Sequence, residues 1–362
     1  MNRDMCITRP FLLHCWLLSQ LLLFCVACAD TADDSVAAGR TTSVRLLIPR
    51  PEAATRAGFP SEGYETNLTV EESAIHTLRV VIYSLRENNN ATTINRFYTE
   101  DELAKAQQSS TGNYVLTIGN VPLGTAQICV VVNEASIGQD YTDILTMQNQ
   151  AVETGDYSKV LITDPNYAFF PKRGTELLAE NPKKGLPMSW MGKNHEITGG
   201  DQISVELKRC VAKLRMAVKN NFTADIRVDE ISFGQFFGNS FYLFKEAELD
   251  VPPEQIYKEQ VYTDEVAYTI RPGESKVLIC YLYPSFAWTS GTTASPYTIG
   301  FKTQHGDYPQ MAFLHMDGTR FNSIPRNKQV NIGVTLSGKT HIEVDFEVVD
   351  WADVDITVPD FD

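Results

Sequence analysis

The side chains best suited to chemistry in this sequence are histidines, cysteines and carboxylates, and none of them forms a known catalytic arrangement. The six histidines include no HExxH pair, and no GxSxG elbow, GxGxxG fingerprint or phosphate-binding P-loop occurs. Asp353 and Asp355 are spaced as in half of a calcium loop, but the glycine and the distal glutamate of that loop are missing. We therefore predict no catalytic residue, no bound metal and no cofactor.

The seven cysteines divide unevenly along the chain. Four lie within the first 28 residues, and Cys129, Cys210 and Cys280 lie far apart in or beside apolar runs. Their spacing fits neither a zinc site nor a disulfide framework. We expect buried free thiols in the body, because cysteine behaves as a small hydrophobic residue. The sequence leaves a single disulfide open as an alternative.

The first 28 residues have the pattern of an export signal. A short start with Arg3 and Arg9 precedes an apolar run over residues 11–27 that carries no charge. The run ends in Phe24-Cys25-Val26-Ala27-Cys28, which resembles the lipobox of bacterial lipoproteins, although Cys25 replaces the usual leucine. We predict that cleavage precedes Cys28 and that Cys28 carries the lipid. Secretion without a lipid is the alternative.

The bond between Arg56 and Ala57 is the second candidate for covalent processing. It closes a stretch in which Pro49 and Pro51 remove two backbone donors and few side chains can pack. A trypsin-like protease can cut after an arginine in such an exposed linker.

The residues before this linker predict one β-strand. Val44, Leu46 and Ile48 fall on one face at period two, and Arg45 points to the other face. A strand, a proline-containing tether and a cleavable bond in that order indicate a strand that is meant to be removed. An ordinary first strand followed by a loop is the competing interpretation.

The rest of the chain is rich in β pattern. Strands are predicted at residues 78–83, 114–118, 125–132, 203–207, 212–218, 228–233, 276–283, 297–301, 330–336 and 342–348. Residues 114–118 and 125–132 predict a hairpin-like pair. A capping box from Thr99 to Glu102 predicts a helix through about residue 108. The apolar positions move from odd to even numbers near Arg209-Cys210, which requires a bulge, a bend or a change of sheet. We place a domain boundary there.

The last residues predict one more short strand. Val354, Ile356 and Val358 alternate with Asp355 and Thr357. This segment can be an ordinary edge strand, or it can pair with a neighbouring molecule.

Length and charge limit the class of protein. A chain of 362 residues with 43% hydrophobic residues is long enough for about two packed domains. A formal net charge of −14 argues against nucleic acid or an anionic membrane surface as a partner of the body.

Several short segments carry, in order, a resemblance to a known family. They are Cys28, residues 43–48 followed by 55–59, and residues 75–83, 119–122, 186–189, 205–214, 326–328 and 349–351. In this order they resemble fimbrillins, the subunits of the type V pili of anaerobic Gram-negative bacteria. The resemblance implies an all-β fold with two transthyretin-like β-sandwich domains and few short helices.

The resemblance also implies a division of the chain. Residues 1–28 would be the lipoprotein signal peptide with the lipidated cysteine, and residues 29–56 a removable propeptide with the first strand. Residues 57–205 would form the N-terminal sandwich, and residues 206–362 the C-terminal sandwich with a terminal donor strand.

In fimbrillins an arginine-specific protease removes the first strand, and a strand of another subunit fills the groove. The resemblance therefore implies a removable strand, a processing site and a donor strand: Val44, Leu46 and Ile48; Arg56 and Ala57; Val354, Ile356 and Val358. The implied partners are other pilus subunits, the protease, the outer membrane through the lipid of the precursor, and a host protein or glycan.

The implied role is a structural subunit of a cell-surface fimbrium. A cleavage site together with a terminal alternating strand favours a stalk subunit. The alternative is a pilus-tip adhesin, or a surface lipoprotein that binds glycans and does not polymerise. In that case aromatic side chains, namely Trp190, Trp288, Tyr281 and Tyr283, would hold the ligand, although such side chains more often pack in a core.

N-terminal sequencing of the protein taken from the cell surface tests the processing scheme. We expect the surface form to begin at Ala57, because cleavage after Arg56 removes the leader and the first strand together. A surface form that begins at a lipidated Cys28 would contradict this scheme and would indicate an anchored lipoprotein.

Overall fold

The computed structural model describes most of the chain beyond residue 40. The described residues are 41–49, 63–84, 92–108, 111–150, 157–245, 252–263, 268–285, 288, 294–315, 317–337 and 342–351.

Strands dominate these residues. In chain order they are β1 (Thr41–Ile48), β2 (Leu78–Ser84), β3 (Thr92–Tyr98), β4 (Tyr114–Pro122), β5 (Gly124–Val132), β6 (Leu161–Thr163), β7 (Lys172–Arg173), β8 (Met188–Ile197), β9 (Gln202–Ser204), β10 (Lys208–Arg209), β11 (Ala212–Asn220), β12 (Ile226–Gly238), β13 (Ser240–Tyr242), β14 (Tyr257–Tyr262), β15 (Tyr268–Ile270), β16 (Ser275–Leu282), β17 (Thr298–Thr303), β18 (Gly306–Ala312), β19 (Lys328–Leu336) and β20 (Ile342–Asp350).

The helices within the same ranges are short. They are α1 (Gly63–Glu72), α2 (Glu100–Ala106), α3 (Ile144–Gln150) and α4 (Gly174–Ala179), with 3₁₀ turns at Glu134–Ile137 and Tyr157–Lys159. No helix in the described ranges has both the length and the apolar character needed to span a membrane.

Two pairs of sheets enclose two apolar cores. Sheet 1, with strand order β4-β1-β9, packs against sheet 2, with order β10-β8-β5-β2-β3. Sheet 3, with order β20-β19-β11-β16-β7, packs against sheet 4, with order β14-β12-β17-β18 and β15 beside β12. The all-β sandwich fold expected from the sequence is confirmed. The domain boundary at residues 205 and 206 stays a prediction.

A third apolar layer joins the outer faces of sheets 2 and 3. Strand β2 shows how one strand serves two layers: Val80 and Ile82 enter the core of the first sandwich, whereas Val81 and Tyr83 enter the middle layer. This explains why both faces of β2 are apolar, and β2 lies between β5 and β3 in sheet 2. The irregular chain between β5 and β8 supplies much of the rest of the layer.

The change of apolar parity near residue 209 corresponds to a change of sheet. Strand β9 belongs to sheet 1, β10 to sheet 2 and β11 to sheet 3. The hairpin-like pair predicted for residues 114–132 was wrong. β4 lies in sheet 1 and β5 in sheet 2, so the chain crosses from one sheet to the facing one at residue 123. A tight turn and two amphipathic strands fit both arrangements, and packing decides between them.

Two local predictions agree with the structure. The backbone N–H of Thr99 donates to Glu102 Oε2 over 3.0 Å at the start of α2, as the capping box requires. Cys129, Cys210 and Cys280 are buried free thiols.

Arg326 ties sheet 2 to the chain that enters sheet 3. Its side chain is 5% exposed, and it donates to the carbonyl oxygens of Lys208, Arg209 and Leu243 over 2.8–3.0 Å. It also donates to Ser189 Oγ over 3.0 Å. The buried guanidinium group therefore supplies hydrogen-bond donors to several buried backbone carbonyl groups at once.

Replacing Arg326 with methionine should lower the free energy of unfolding by about 3 kcal/mol or more, because several buried acceptors lose their donor at once. Urea denaturation of the purified full chain measures this. The exposed Arg320→Met variant is the matched control and should stay within about 0.5 kcal/mol of the wild type. Equal midpoints for the two variants would contradict the role of Arg326.

Candidate functional site

Strand β1 fills the middle of sheet 1. The side chains of Val44, Leu46 and Ile48 are 0% exposed and belong to the core of the first sandwich, as the period-two pattern predicts. Arg45 is exposed on the other face. Leu47, on that same face, is also buried, which the alternation did not indicate. The segment predicted to be removable is therefore an integral part of a core.

Main-chain pairing holds β1 to β9 in parallel register, with Leu46 opposite Ile203. The Arg45 N–H donates to the Asp201 carbonyl over 2.9 Å, and the Val205 N–H donates to the Leu47 carbonyl over 2.9 Å. Because β4 pairs with the other edge of β1, β4 and β9 touch the same strand and not each other within sheet 1. Without β1, both strands would become unpaired edges.

A turn before β9 sets the position of that strand. The backbone N–H groups of Thr198 and Gly199 donate to Asp201 Oδ2 over 3.0 and 2.7 Å. These hydrogen bonds, the one from Gly199 above all, lower the pKa of the Asp201 carboxyl group. Gly199 has φ +125°, which a residue with a Cβ rarely adopts. The turn therefore delivers β9 to β1 in a fixed register.

Helix α1 is the first described element after the linker that contains Arg56 and Ala57. Arg215 binds its first turn through a bidentate pair, with Nε 2.6 Å from Glu65 Oε1 and Nη2 3.1 Å from Glu65 Oε2. Lys213 Nζ lies 2.7 Å from Oε1 of Glu72, the last residue of the helix. Lys213 and Arg215 share one face of β11. The helix is thus fixed at both ends to sheet 3.

Glu72 also holds the last described residue of the chain. The Trp351 indole N–H donates to Glu72 Oε2 over 3.2 Å, and the Tyr281 hydroxyl donates to Glu72 Oε1 over 2.6 Å. The Arg209 guanidinium lies 4.7 Å from the centre of the Trp351 ring and donates to the Trp351 carbonyl over 3.1 Å. Glu72 is 2% exposed, and these contacts satisfy its charge. The terminal segment after Trp351 therefore starts from a fixed point.

His76 adds a titratable contact just beyond α1. Its Nε2 lies 3.0 Å from Glu71 Oε1, and its Nδ1 lies 3.3 Å from Glu100 Oε1. The hydrogen bond to Glu71 raises the pKa of His76 against the opposing effect of burial, and Glu100 adds to the rise. For Glu71, burial opposes ionisation, but His76 and Lys183 outweigh it, and the pKa is lowered.

The structure places some of the predicted site residues and not others. Val44, Leu46 and Ile48 come together in one core. The lipid-attachment, processing and donor-strand residues lie outside the described ranges: Cys28; Arg56 and Ala57; Val354, Ile356 and Val358. No group of metal-ligating side chains occurs among the residues that the structure describes.

The aromatic side chains considered as a ligand platform separate into two classes. Tyr281 and Tyr283 are 0% and 1% exposed and buried in the middle layer, which agrees with the core packing favoured for them and excludes both from a ligand platform. Trp190 is half-buried against the core of the first sandwich. Trp288 is half-buried and lines a cleft on sheet 4.

Sequence reasoning missed the contacts that fix α1 and Trp351. Glu72 and Lys213 are separated by 140 residues, and nothing in the sequence around either position indicates the pairing. Only the burial of a carboxylate at a helix end, beside a buried indole, identifies the site.

Comparison with known proteins adds evidence on the fold. No family model matches the chain, and no curated protein matches it. Among solved structures, the tip fimbrial protein Mfa3 from Porphyromonas gingivalis, with a C-terminal truncation, aligns over 85% of this chain and 100% of its own. The TM-score is 0.52, and the sequence identity is 17%.

This chain has the fold of a fimbrial protein. The resemblance stated from the sequence is thereby confirmed at the level of the fold, which is what 17% identity supports. A fimbrial assembly protein from Parabacteroides distasonis aligns over 86% of this chain and 98% of its own, at TM-score 0.49 and 12% identity. A fimbrilin from Porphyromonas gingivalis aligns over the same shares, at TM-score 0.49 and 13% identity.

The contact between His76 and Glu71 predicts a pH dependence of stability. A histidine whose pKa rises on folding stabilises the protein fully below its unfolded pKa of about 6.5, and this contribution is lost as the pH rises through the folded value. As the pH rises above about 6.5, unfolding midpoints in urea should therefore fall more steeply in the wild type than in His76→Asn. The Glu71→Gln variant should likewise show a weaker dependence of the unfolding midpoint on pH. Parallel curves for all three proteins would contradict this account.

Proposed function

We propose that this protein is a structural pilus subunit, exported as an outer-membrane lipoprotein through Cys28 and polymerised by strand exchange at the cell surface. Cleavage after Arg56 releases β1, and the terminal segment of another subunit takes its place. The single observation that carries the proposal is the position of β1. The segment before the cleavable linker is the middle strand of a sheet and contributes fully buried side chains to a core.

The energetics explain why the vacated position must be refilled. Loss of β1 uncovers apolar side chains on both flanks, namely Leu116, Ile118 and Val121 on one side and Ile203 and Val205 on the other. If the incoming strand buries three aliphatic side chains in these sites, each would contribute about 1.5–3 kcal/mol to the free energy of strand binding. The backbone groups of β4 and β9 would regain partners by β-augmentation.

The terminal segment repeats the pattern of the strand that it would replace. Residues 44–49 read VRLLIP, and residues 354–359 read VDITVP. Both have aliphatic side chains at the first, third and fifth positions, and both end in proline. A donor with the same spacing can place its side chains in the sites of Val44, Leu46 and Ile48 when it runs in the same direction as β1, parallel to β9.

The contacts of α1 support the same scheme. Glu65 lies eight residues after Arg56-Ala57, and its pairing with Arg215 holds the helix to sheet 3. Cleavage in the linker therefore frees the segment that contains β1 and leaves the helix in place. Until cleavage, β1 occupies its own groove and prevents assembly.

The Arg56→Ala variant tests the proposal in cells. We expect the variant to accumulate as an unprocessed precursor and to form no surface fibres, because β1 stays in its groove. The matched control is Arg50→Ala, which removes another arginine of the same linker and should process and assemble like the wild type. Electron microscopy of the cell surface and immunoblots of unheated samples report the outcome.

A second variant tests the donor separately. A chain that ends at Trp351 should be processed at Arg56 and remain monomeric. Normal fibres from either Arg56→Ala or this truncated chain would overturn the mechanism.

A further inference from the structure

A cleft of about 780 Å³ opens on sheet 4, and no residue of β1 is among its described lining residues. Strands β12, β14, β17 and β18 all contribute to it. On β12, Ser232 and Gly234 line the cleft and alternate with Ile231 and Phe233, which belong to the core of the second sandwich. Phe233 also contributes to the lining, so the cleft opens mainly on the face of the sheet opposite that core and reaches the core at this one residue of β12.

The floor of the cleft lacks long side chains for a structural reason. A Cβ atom at position 234 would lie 2.1 Å from the Pro296 carbonyl oxygen and 2.5 Å from Thr298 Oγ1, so only glycine fits. Ser232 and Thr298 are the small neighbours on the two central strands. The close approach of residues 296–298 to β12 thus shapes the floor.

The walls offer hydrogen-bond acceptors in excess of donors. Gln310 Nε2 donates to Ser232 Oγ over 2.8 Å, and Gln235 Nε2 donates to the Tyr257 carbonyl over 3.2 Å. The amide oxygens of both glutamines have no hydrogen-bond partner among the described residues, and the exposed carboxylate of Glu259 has no ion-pair partner there. Among the described residues that line the cleft there is no lysine, arginine or histidine.

Aromatic and aliphatic surface lies beside these acceptors. Trp288 packs in part against the core and also lines the cleft, together with the half-buried Tyr257. Ile256 at the rim is 63% exposed, an unusual exposure for a large aliphatic side chain. Aromatic faces next to a few polar groups are typical of small-molecule sites.

We propose that this cleft binds a neutral glycan. Sugar hydroxyl groups supply the donors that the free amide oxygens and the carboxylate require, and the C–H face of a sugar ring packs on Trp288. The carboxylate of Glu259, with no basic side chain beside it in the described part of the lining, disfavours sialylated or sulfated glycans. The site does not depend on polymerisation, so it functions in a stalk subunit and in a tip subunit alike.

Binding of the full chain to an array of neutral, sialylated and sulfated glycans tests the proposal. Titration with maltooligosaccharides, cellooligosaccharides and N-acetyllactosamine repeats, followed by tryptophan fluorescence, then gives affinities. We expect binding to neutral glycans, and a loss of affinity of about tenfold or more in Trp288→Ala and in Gln310→Ala.

Phe222→Ala is the matched control, because Phe222 is also a partly buried aromatic side chain on the same core but does not line the cleft. It should bind like the wild type. The Arg56→Ala precursor should also bind, which separates this proposal from the polymerisation scheme. Absence of neutral-glycan binding, binding to anionic glycans alone, binding of an extended peptide that sugars do not displace, or unchanged affinity in both cleft variants would overturn the proposal.

Discussion

The first sandwich depends on a strand that the chain delivers from its N-terminal side. In the described part of the chain, sheet 1 has three strands, and its middle strand β1 joins β4 to β9. Loss of a middle strand costs a sheet far more than loss of an edge strand, because two ladders of hydrogen bonds open and the core is uncovered at once. Sheet 2 packs on the other side of the same core. The core of the first sandwich is therefore closed only when a strand occupies the position of β1.

The two sides of the linker are attached to the body by different interactions. β1 is held to the first sandwich by main-chain pairing and apolar burial. Helix α1 is held to sheet 3 by the ion pairs of Glu65 and Glu72 with Arg215 and Lys213. One carboxylate, that of Glu72, serves both the end of this helix and the root of the terminal segment at Trp351. The buried cluster around Glu72 therefore fixes both helix α1, which follows the linker, and Trp351, from which the terminal segment continues.

Several strands and one helix start could be predicted from local sequence patterns alone. The alternation of β1, the apolar runs of β2 and β16 and the capping box at Thr99 depend on neighbours in the chain, and the structure has each of them where it was expected. The hairpin predicted for β4 and β5 failed because a local pattern does not state which partner a strand takes. For Tyr281 and Tyr283 the sequence left a ligand platform open beside the favoured core packing, because the same aromatic residue type occurs in cores and in clefts, and burial decides for the core.

The sequence by itself determined the β-rich character, the buried face of β1, the irregularity in the strand pattern near residue 209 and the expectation of free thiols. Each of these follows from side-chain periodicity or residue type, which act over a few neighbouring positions. Only the tertiary structure decided that β1 lies in the middle of its sheet, that Glu72 meets Lys213 and Trp351, and that residues 296–298 pack directly against Gly234 in the cleft on sheet 4. These contacts join residues far apart in the chain, and their free energies depend on burial and on partners that no local pattern records.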